Sequence, residues 1–385
     1  MFMHILLIVS WYKKIENPVL GSFFEEQARA LMEEGHQVGI ICPIFKSFGD
    51  STPDNSYSEI DKGLPVYYEE YKSAFPRLRA VNYQLFAKSI HRNAYKKYIQ
   101  TYGSPNIIHT HSVFYAGIVA SYISKKNNIA YVITEHSTPF SEGKITNKYD
   151  IFMYRKILEG SKRLIAVSEG FKSELKSSAK ISRNIDVIHN MVNPIFFDKK
   201  KIYDRKEDQF TFYTVSFLTE RKNHKLMIDA FELFHSKNGN SKFIIGGDGP
   251  IKAEIENYIK IKGLENSVIL RGPQTRTEVF NEMTNAHVFL LASHYETFGV
   301  VLIEALATGR PVISTDSVGP RDIIINHFNG ILLKSWDSES FSNAMLSVFE
   351  NYKDYDPQKI SKDCLNRFGQ KTIIKKIIDA YYQTI

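Results

Sequence analysis

Short apolar runs alternate with longer amphipathic segments along most of the chain, and this alternation predicts its fold. Runs such as Ile5–Val9 are apolar on both faces, as expected of parallel strands covered by helices. Ser22–Glu34 is typical of an intervening helix, with Glu25 and Glu26 in its first turn and Gly35 after its end. Strands are predicted near residues 3–9, 38–42, 64–68, 106–109, 130–134, 163–167 and 185–188, and then near 210–215, 242–246, 268–271, 288–292, 312–315 and 330–333. The pattern predicts two doubly wound α/β halves.

A run of charged residues separates the two halves. The segment D-K-K-K-I-Y-D-R-K-E-D at 198–208 has nine charged residues in eleven, which cannot form a core. We therefore predict a first domain over residues 1–195, a linker over 196–208 and a second domain over 209–368. The final segment, 369–385, carries one apolar stripe at helical spacing, formed by Ile373, Ile374, Ile377, Ile378 and Tyr381.

Composition is ordinary for a globular protein and argues against a disulfide-rich, cysteine-metal or membrane-spanning protein. The 385 residues suit two domains, with 43% hydrophobic and 24% charged residues. Cys42 and Cys364 are the only cysteines, so neither a disulfide framework nor a cysteine-based metal site is expected. The apolar start lacks a basic region and a cleavage site, and the sequence contains no run of ~18 apolar residues. We expect a cytoplasmic protein.

The net charge of +7 is unevenly distributed along the sequence. Between Glu70 and Glu135 there are nine basic residues and no acidic one, and residues 71–98 mix these cations with aromatics. Three interpretations stay open: a solvated helix whose aromatics pack in the core, contact with an anionic membrane or charged lipid-linked acceptor, and nucleic-acid binding. We retain peripheral membrane contact as the functional alternative and predict no nucleic-acid partner.

The block S-H-Y-E-T-F-G-V-V-L-I-E-A-L-A-T-G-R-P-V-I at 293–313 is the most informative part of the sequence. Glu296 precedes a helix-forming run that starts near Gly299, and Glu304 lies inside that run. At ~1.5 Å per residue the two carboxylates lie roughly 10–12 Å apart, too far to share one small metal ion. The spacing suits an extended ligand with hydroxyls at both ends and an anion between them, resting on N–H groups near Phe298 and Gly299.

This block resembles the nucleotide-sugar motif of retaining glycosyltransferases of the GT-B fold, in glycosyltransferase family 4. The alternative is a surface glutamate followed by an ordinary helix-face glutamate. The resemblance implies an α/β fold of two doubly wound Rossmann-like domains facing across a cleft, with the final helix returning to the first domain. It implies that Glu296 touches the donor sugar, that Thr297, Phe298 and Gly299 lie against the donor, and that Glu304 holds the nucleotide ribose. It also implies no metal and no other cofactor.

Residues 215–231, V-S-F-L-T-E-R-K-N-H-K-L-M-I-D-A-F, resemble the first strand, loop and helix of the family's donor domain. The family places a Gly-Arg pair in this loop and a lysine a few positions later, and both cations hold the diphosphate. Ser216-Phe217 replaces that pair here, whereas Lys222 keeps the lysine position. Arg221, beside it, is the candidate substitute for the missing arginine.

Two glycine loops and two histidine segments complete the candidate site. G-G-D-G-P resembles the family loop in which Gly247 passes near the nucleotide, the alternative being an ordinary strand-to-helix turn. Gly21, in V-L-G-S-F-F, resembles the acceptor-side glycine loop. His136, in V-I-T-E-H-S, resembles the histidine that reaches the transferring sugar, the alternative being one that only ends a strand. In I-I-H-T-H-S, His111 matches a structural or acceptor-side histidine, and the separation of His109 and His111 from His136 in sequence argues against zinc.

The resemblance therefore implies a retaining glycosyltransferase with His136, Glu296 and Lys222 as its catalytic group. It would move a hexose-type sugar from a nucleoside diphosphate donor to a hydroxyl of a growing glycan, such as lipopolysaccharide, capsule or another cell-surface polysaccharide. The expected acceptor is a glycan or lipid-linked glycan. Two alternatives remain, a GT-B sugar-nucleotide epimerase and a non-catalytic protein that binds anionic polymers.

Overall fold

The computed structural model describes residues 2–13, 21–136, 145–198 and 209–385 of the chain. These residues form two compact units, each built around its own sheet. The first unit comprises Met1–Ile188 and Ile374–Ile385, and the second comprises His189–Ile373. The last residues of the chain therefore belong to the first unit.

The sheet of the first unit is parallel apart from one edge strand. Its strands are β1 His4–Val9, β2 Gln37–Lys46, β3 Tyr57–Asp61, β4 Leu64–Lys72, β5 Ile107–His111, β6 Tyr131–Glu135, β7 Arg163–Ala166 and β8 Asp186–Val187. They lie in the order β3-β4-β2-β1-β5-β6-β7-β8, and only β3 runs antiparallel to its neighbour. The apolar strand β1 is buried along its whole length at the centre, as its sequence predicts.

Helices connect these strands, and polar residues fix where several of them begin. The helices are α1 Ser22–Glu33, α2 Arg79–Ile90, α3 Lys96–Tyr102, α4 Ile118–Asn127, α5 Lys148–Gly160 and α6 Glu169–Ser178. A π-helical turn at His91–Tyr95 joins α2 to α3. The Asn147 side chain accepts two N–H groups at the start of α5, and Ser168 accepts one at the start of α6, so each satisfies donors that the helix itself leaves unpaired.

The second unit is a fully parallel sheet with its own helices. Its strands are β9 Phe210–Val215, β10 Ser241–Gly246, β11 Val268–Gly272, β12 Val288–Leu291, β13 Val312–Thr315 and β14 Gly330–Leu333. The helices that follow are α7 His224–His235, α8 Lys252–Ile261, α9 Arg276–Asn285, α10 Val300–Ala307, α11 Ser338–Glu350 and α12 Pro357–Phe368. The last helix, α13 Gln370–Tyr382, belongs to the first unit from Ile374 onward. The strand order is β11-β10-β9-β12-β13-β14, which is the doubly wound arrangement.

The predicted α/β fold of two doubly wound units is confirmed, and every predicted strand is present within a few residues. The helix predicted over Ser22–Glu34 ends one residue early. Strand β3 was not predicted. Its sequence, Y-S-E-I-D, is mostly polar and exposed because it pairs on one side only, so it lacks the apolar run that marks the other strands.

The division between the units lies at Ile188, seven residues before the predicted end of the first domain. Val192 is buried in the second unit, and a short turn at Pro194–Phe197 places the Phe196 ring 6.0 Å from the Phe280 ring. The predicted linker over 196–208 therefore begins inside packed structure. Its charged stretch, apart from Asp198, lies outside the described residues.

Most aromatics of residues 71–98, within the acid-free window, pack in the core, as the first of the three interpretations proposed. The buried ones are Tyr83, Phe86, Tyr95 and Tyr98. The segment immediately before them behaves differently, because residues 74–81 are all exposed. The window therefore combines a core helix with a surface segment.

Candidate active site

The order of strands in the second unit reverses between β9 and β12, and the predicted donor residues lie at this point. Arg221 and Lys222 follow β9, and Glu296 follows β12, which is its neighbour in the sheet. Both loops leave the carboxyl ends of their strands, where open α/β sheets bind ligands. The fold thus brings together side chains that are 74 positions apart in the sequence.

Lys222 and Glu296 form an ion pair at this reversal. The Lys222 Nζ donates to Glu296 Oε2 at 2.7 Å, and both side chains are largely buried. The His294 N–H donates to the Arg221 carbonyl at 2.8 Å, which joins the two loops through the backbone as well. Charges at a partly buried site interact more strongly than in water. A cation and a carboxylate are therefore held together where a charged ligand would bind.

The backbone around Glu296 is held by the loop after β13. The Glu296 N–H donates to the Ser317 carbonyl at 3.1 Å, and the Glu296 carbonyl accepts the Gly319 N–H at 2.8 Å. Val318, between them, has φ of +79°, a region that β-branched residues rarely adopt. A Cβ on Gly319 would lie 2.4 Å from the backbone N and Cα of Phe298. Only glycine leaves room for the turn that carries Glu296.

We expect Gly319→Ala to disturb this turn and to weaken binding of a nucleoside diphosphate by about tenfold, equivalent to ~1.4 kcal/mol. The added methyl group would overlap backbone atoms that cannot move independently. Gly239→Ala is the matched control, because a Cβ there meets no atom within 4 Å. Calorimetric titration of both variants checks the prediction. Parent-like affinity in a folded Gly319→Ala protein would contradict it.

Glu304 is buried in α10 and contacts an arginine that the sequence analysis missed. Its Oε1 contacts Nη1 of Arg276, and Glu304 is only 2% exposed. Arg276 is the first residue of α9, whose start is fixed by a capping box between Thr275 and Glu278. The guanidinium also lies over the Phe196 ring, 5.8 Å from its centroid. Because burying a lone carboxylate is costly, Arg276 stabilises Glu304 in its buried position.

The sequence did contain a signal for Arg276. It lies in R-G-P-Q-T-R-T-E, directly after the predicted strand 268–271, at the carboxyl end where ligands bind. The Thr-x-x-Glu pattern also marks a helix start at that position. The loop was passed over because no family motif covers it.

In the turn between Glu296 and α10, the Phe298 side chain packs in the core and the backbone is left to contact a ligand. Phe298 is buried, its ring stacks on the His189 ring at 5.4 Å, and it meets the Phe368 ring edge to face at 5.7 Å. Gly299 has φ of +104° and directly precedes the first residue of α10. The Phe298 side chain therefore anchors the turn in the core, so that only its backbone is placed to contact a donor. Thr297 is half-buried in the same turn.

Gly247 has a packing reason to be glycine. Its φ is +119°, and a Cβ would lie 1.9 Å from the Ser216 carbonyl oxygen. Its N–H donates to the Gly272 carbonyl at 2.7 Å, and the Leu218 N–H donates to the Asp248 carbonyl at 2.9 Å. These bonds join the loops that follow β9, β10 and β11. Contact between Gly247 and a nucleotide stays a prediction, and it cannot use this N–H while the bond to Gly272 is intact.

The loop after β9 carries an exposed aromatic, and the helix that follows it begins with a buried histidine. Phe217, at the position of the family's arginine, is 65% exposed, and Arg221 is exposed as well. His224 Nε2 lies 3.0 Å from Ser216 Oγ behind the loop. Burial, with the nearby Lys222 ammonium, lowers the pKa of His224 to about 4, so the ring is neutral at pH 7. The proposal that Arg221 replaces the missing arginine stays a prediction.

In the first unit the strand order reverses between β1 and β5, and Gly21 lies in the connection after β1. Gly21 has φ of +71° and directly precedes α1. A Cβ would lie 3.1 Å from the Trp11 carbonyl oxygen, so both the backbone angle and the close approach favour glycine. The two residues before it, 19 and 20, lie outside the described residues.

Three histidines cluster at the ends of β5 and β6. His111 Nδ1 lies 2.9 Å from His136 Nε2. His109 lies deeper, with Nδ1 2.6 Å from the Tyr381 hydroxyl and Nε2 2.8 Å from Thr134 Oγ1. His109 therefore has a structural role that fastens the last helix to the sheet. The sequence alone places His109 and His111 on one segment and His136 on another, and it does not predict that their rings meet.

All three imidazoles are neutral near pH 7. Burial lowers the pKa of His136 to about 3, and burial with the neighbouring His136 lowers the pKa of His109 to about 3. Burial also lowers the pKa of His111 well below its ordinary value. The Phe24 ring packs 4.8 Å from His111 and 5.7 Å from His136. Because His136 directs Nε2 at His111, contact with a ligand would involve Nδ1.

Glu135 positions His136 and was also missed. It is fully buried, and its Oε2 accepts the Val113 N–H while its Oε1 accepts the His136 N–H, both at 2.9 Å. The carboxylate thereby fixes the path of the chain at the end of β6. Its signal in the sequence was an acidic residue inside an otherwise apolar strand end.

The first unit also contains a cavity of about 700 Å³ at the carboxyl ends of β2, β4 and β5. Its walls include the aromatic side chains of Phe45, Tyr83, Tyr115 and Tyr149. Arg79, at its edge, donates to Asp150 Oδ2 at 2.6 Å. The cavity is thus lined by aromatic faces and lies on the side of the sheet where ligands bind.

Within the described ranges, no group of three or more His, Cys, Asp and Glu side chains is placed to hold a metal ion. The absence of a metal requirement stays a prediction. In the same part of the chain, no helix is both long and apolar enough to span a bilayer.

Comparison with known proteins gives consistent matches over nearly the whole chain. Residues 20–195 match the family Glycosyltransferase Family 4, and residues 196–362 match the family Glycosyl transferases group 1. An uncharacterized glycosyltransferase of Methanocaldococcus jannaschii is 27% identical over 304 residues, which are 78% of each chain. The UDP-Gal:alpha-D-GlcNAc-diphosphoundecaprenol alpha-1,3-galactosyltransferase of Escherichia coli is 27% identical over 289 residues, 71% of this chain and 73% of that protein.

Among solved structures, the Anabaena protein HepE in complex with UDP has a TM-score of 0.76 at 18% identity. The superposition covers 99% of this chain and 100% of that chain. At this identity the likeness shows a shared fold alone.

Proposed function

The chain belongs to the group 1 glycosyltransferases of family 4, with the GT-B fold, and on that premise we propose that it is a retaining hexosyltransferase. Its donor is a nucleoside diphosphate sugar, and its acceptor is a hydroxyl of a growing cell-surface glycan, free or lipid-linked. The observation that carries the proposal is the Lys222–Glu296 ion pair at the strand-order reversal of the second unit, directly before α10.

The donor would lie along the loops that follow β9 and β12. Lys222 and the N-terminal end of α10 would face the diphosphate, because an ammonium group and unpaired helix N–H groups both stabilise anions. Glu304 would bind the ribose hydroxyls, and Glu296 would orient the sugar. A donor of this kind is supported by the UDP bound to HepE and by the UDP-Gal named as the donor of the E. coli relative.

Transfer would proceed mainly by positioning and electrostatics. The bond between the sugar C1 and the diphosphate oxygen breaks, and a bond from the acceptor oxygen to C1 forms on the same face. The acceptor proton passes to the departing phosphate oxygen, so no protein base is required. Lys222 would offset the charge that grows on the diphosphate, which preorganised donors do effectively in a partly dehydrated site.

The cavity of the first unit supports an acceptor site. Its walls are aromatic, as is common where ligand rings or chains pack, and Arg77 and Arg79 at its edge would attract an anionic acceptor. The E. coli relative acts on a sugar attached to diphosphoundecaprenol, an acceptor that is both anionic and lipid-linked. Lipopolysaccharide, capsule and other surface polysaccharides all remain acceptors of the proposed kind.

The test is nucleotide release from a panel of nucleoside diphosphate sugars, measured with and without glycan acceptors. A transferase releases nucleotide only when an acceptor is present. An epimerase changes the sugar without acceptor-dependent release of the nucleotide, and a non-catalytic protein does neither. NMR of the product should show the anomeric configuration of the donor, and a chelator should leave the rate unchanged. Inversion at C1 would exclude the retaining mechanism.

Glu304→Ala should weaken nucleoside diphosphate binding by an order of magnitude or more. A charge-assisted hydrogen bond contributes about 1.5–3 kcal/mol, and the ribose offers two hydroxyls. Glu256→Ala, which removes an exposed carboxylate from α8, is the control and should bind like the parent. Calorimetry with UDP as the first probe measures both. Unchanged affinity in a folded Glu304→Ala variant would remove Glu304 from the donor site.

A further inference from the structure

A contiguous apolar surface surrounds the cavity of the first unit. Phe48, Phe75, Leu78 and Val81 all line that cavity, yet they are 57%, 44%, 53% and 40% exposed. Phe152, 55% exposed, extends the surface through its contact with Tyr149, with ring centroids 6.4 Å apart. Large apolar patches on a protein surface mark sites of interaction. We call this surface the cavity rim.

Cations predominate among the charges at the cavity rim. Lys72 and Arg77 are exposed within the segment that supplies Phe75 and Leu78, and the sequence from 71 to 134 contains no Asp or Glu. Three nearby carboxylates are already engaged: Asp150 accepts bonds from Arg79 and Tyr83, Glu70 pairs with Lys46, and Asp50, two residues after Phe48, accepts bonds from Thr52. A partner of this surface must therefore tolerate cations beside apolar side chains.

We infer that the cavity rim docks on an anionic phospholipid bilayer. Exposed aromatic and aliphatic side chains interleaved with Lys and Arg suit the boundary between headgroups and acyl chains, where apolar groups insert and cations meet phosphates. A second copy of the chain is disfavoured as the occupant, because it would bring the same cations face to face. Docking would place the cavity next to the bilayer, where a lipid-linked acceptor is found.

Three exposed substitutions separate this surface from the rest of the protein. Phe75→Ser, Leu78→Ser and Val81→Ser together remove apolar area without emptying the core, since all three side chains are exposed. Ile261→Ser is the matched control, because Ile261 is 71% exposed on α8 of the second unit. A further variant, Lys72→Gln with Arg77→Gln, removes charge alone. Thermal unfolding should confirm that every variant is folded.

The experiment is sedimentation with vesicles of neutral phosphatidylcholine alone or with phosphatidylglycerol added, without any donor sugar. The parent and Ile261→Ser should bind the anionic vesicles and not the neutral ones. The triple serine variant should lose binding by about tenfold or more. The glutamine variant should bind more weakly in 0.1 M salt, and 1 M salt should weaken the parent too, as the Debye length falls from ~10 to ~3 Å.

Three results would overturn the inference. They are equal recovery of the parent with both lipids, no recovery with either, and parent-like binding by the triple serine variant. If light scattering shows that the parent is an oligomer that the triple variant dissociates, the cavity rim is a contact between copies instead. Because no donor is present, each outcome is independent of whether the chain transfers sugar.

Discussion

Lys222→Ala should lower turnover at saturating donor by ~100-fold or more, the scale seen when one preorganised charge partner of a leaving group is removed. The ammonium is held at the strand-order reversal by Glu296, 2.7 Å away, so it is already oriented before a donor arrives. The loss should fall on kcat more than on nucleotide affinity, because the charge on the diphosphate grows only as the bond to C1 breaks. Steady-state kinetics with the best donor from the panel measure both.

Two neighbours serve as controls for Lys222. Lys225→Ala removes a cation that pairs with Glu254 on the surface, and it should leave turnover unchanged. Arg221→Ala tests the candidate substitute for the family's arginine and should lower turnover less than Lys222→Ala. If Lys222→Ala keeps its turnover and Arg221→Ala loses it, the resemblance has assigned the diphosphate contact to the wrong residue. Unfolding temperatures near the parent's would show that neither effect comes from misfolding.

The parallel strands were predictable because they are buried on both faces. β1 reads H-I-L-L-I-V and β12 reads V-F-L-L, with almost no polar residue to confuse the pattern. The edge strand Tyr57–Asp61 was missed for the opposite reason, since pairing on one side leaves its side chains exposed and free to be polar. An apolar run in the sequence indicates a buried strand, so a strand that is exposed cannot be recognised from such a run.

The predicted end of the first domain, residue 195, differs from the division by packing at Ile188 because charge was used as the marker. The charged stretch 198–208 is conspicuous, but the packing of Val192 and Phe196 shows that the second unit begins earlier. An apolar residue next to a charged segment belongs to whichever core it reaches, and that is decided by tertiary contacts. Sequence periodicity cannot supply this information for a turn of four residues.

In the site, motif residues were predictable and their partners were not. Glu304 stood out by its place in the motif, whereas Arg276, which stabilises it, comes from a different loop and has no fixed spacing to it. Gly319 supports Glu296 through its backbone, and the need for glycine there is seen only from the 2.4 Å that would separate an added Cβ from the Phe298 backbone. Partners of this kind depend on how strand order brings loops together.

His136→Ala should reduce sugar transfer by ~100-fold, as expected for loss of one positioned catalytic group. It should leave nucleotide affinity nearly intact, because the proposed donor contacts Lys222, Glu296 and Glu304 all belong to the second unit and His136 belongs to the first. His136→Gln is the companion variant. A glutamine amide can still bond to His111 and to a sugar hydroxyl, so it should recover part of the lost rate if hydrogen bonding is the role.

The pH profile provides a second test of the same histidine. Burial lowers the pKa of His136 to about 3, so the ring should stay neutral from pH 5 to 8 and contribute no inflection to the rate in that range. An inflection near pH 6.5 that the parent shows and His136→Ala lacks would mean that the ring titrates normally and acts as an acid or base. Equal loss of nucleotide binding and transfer in His136→Ala would instead mean that the histidine supports the fold and does not face the sugar.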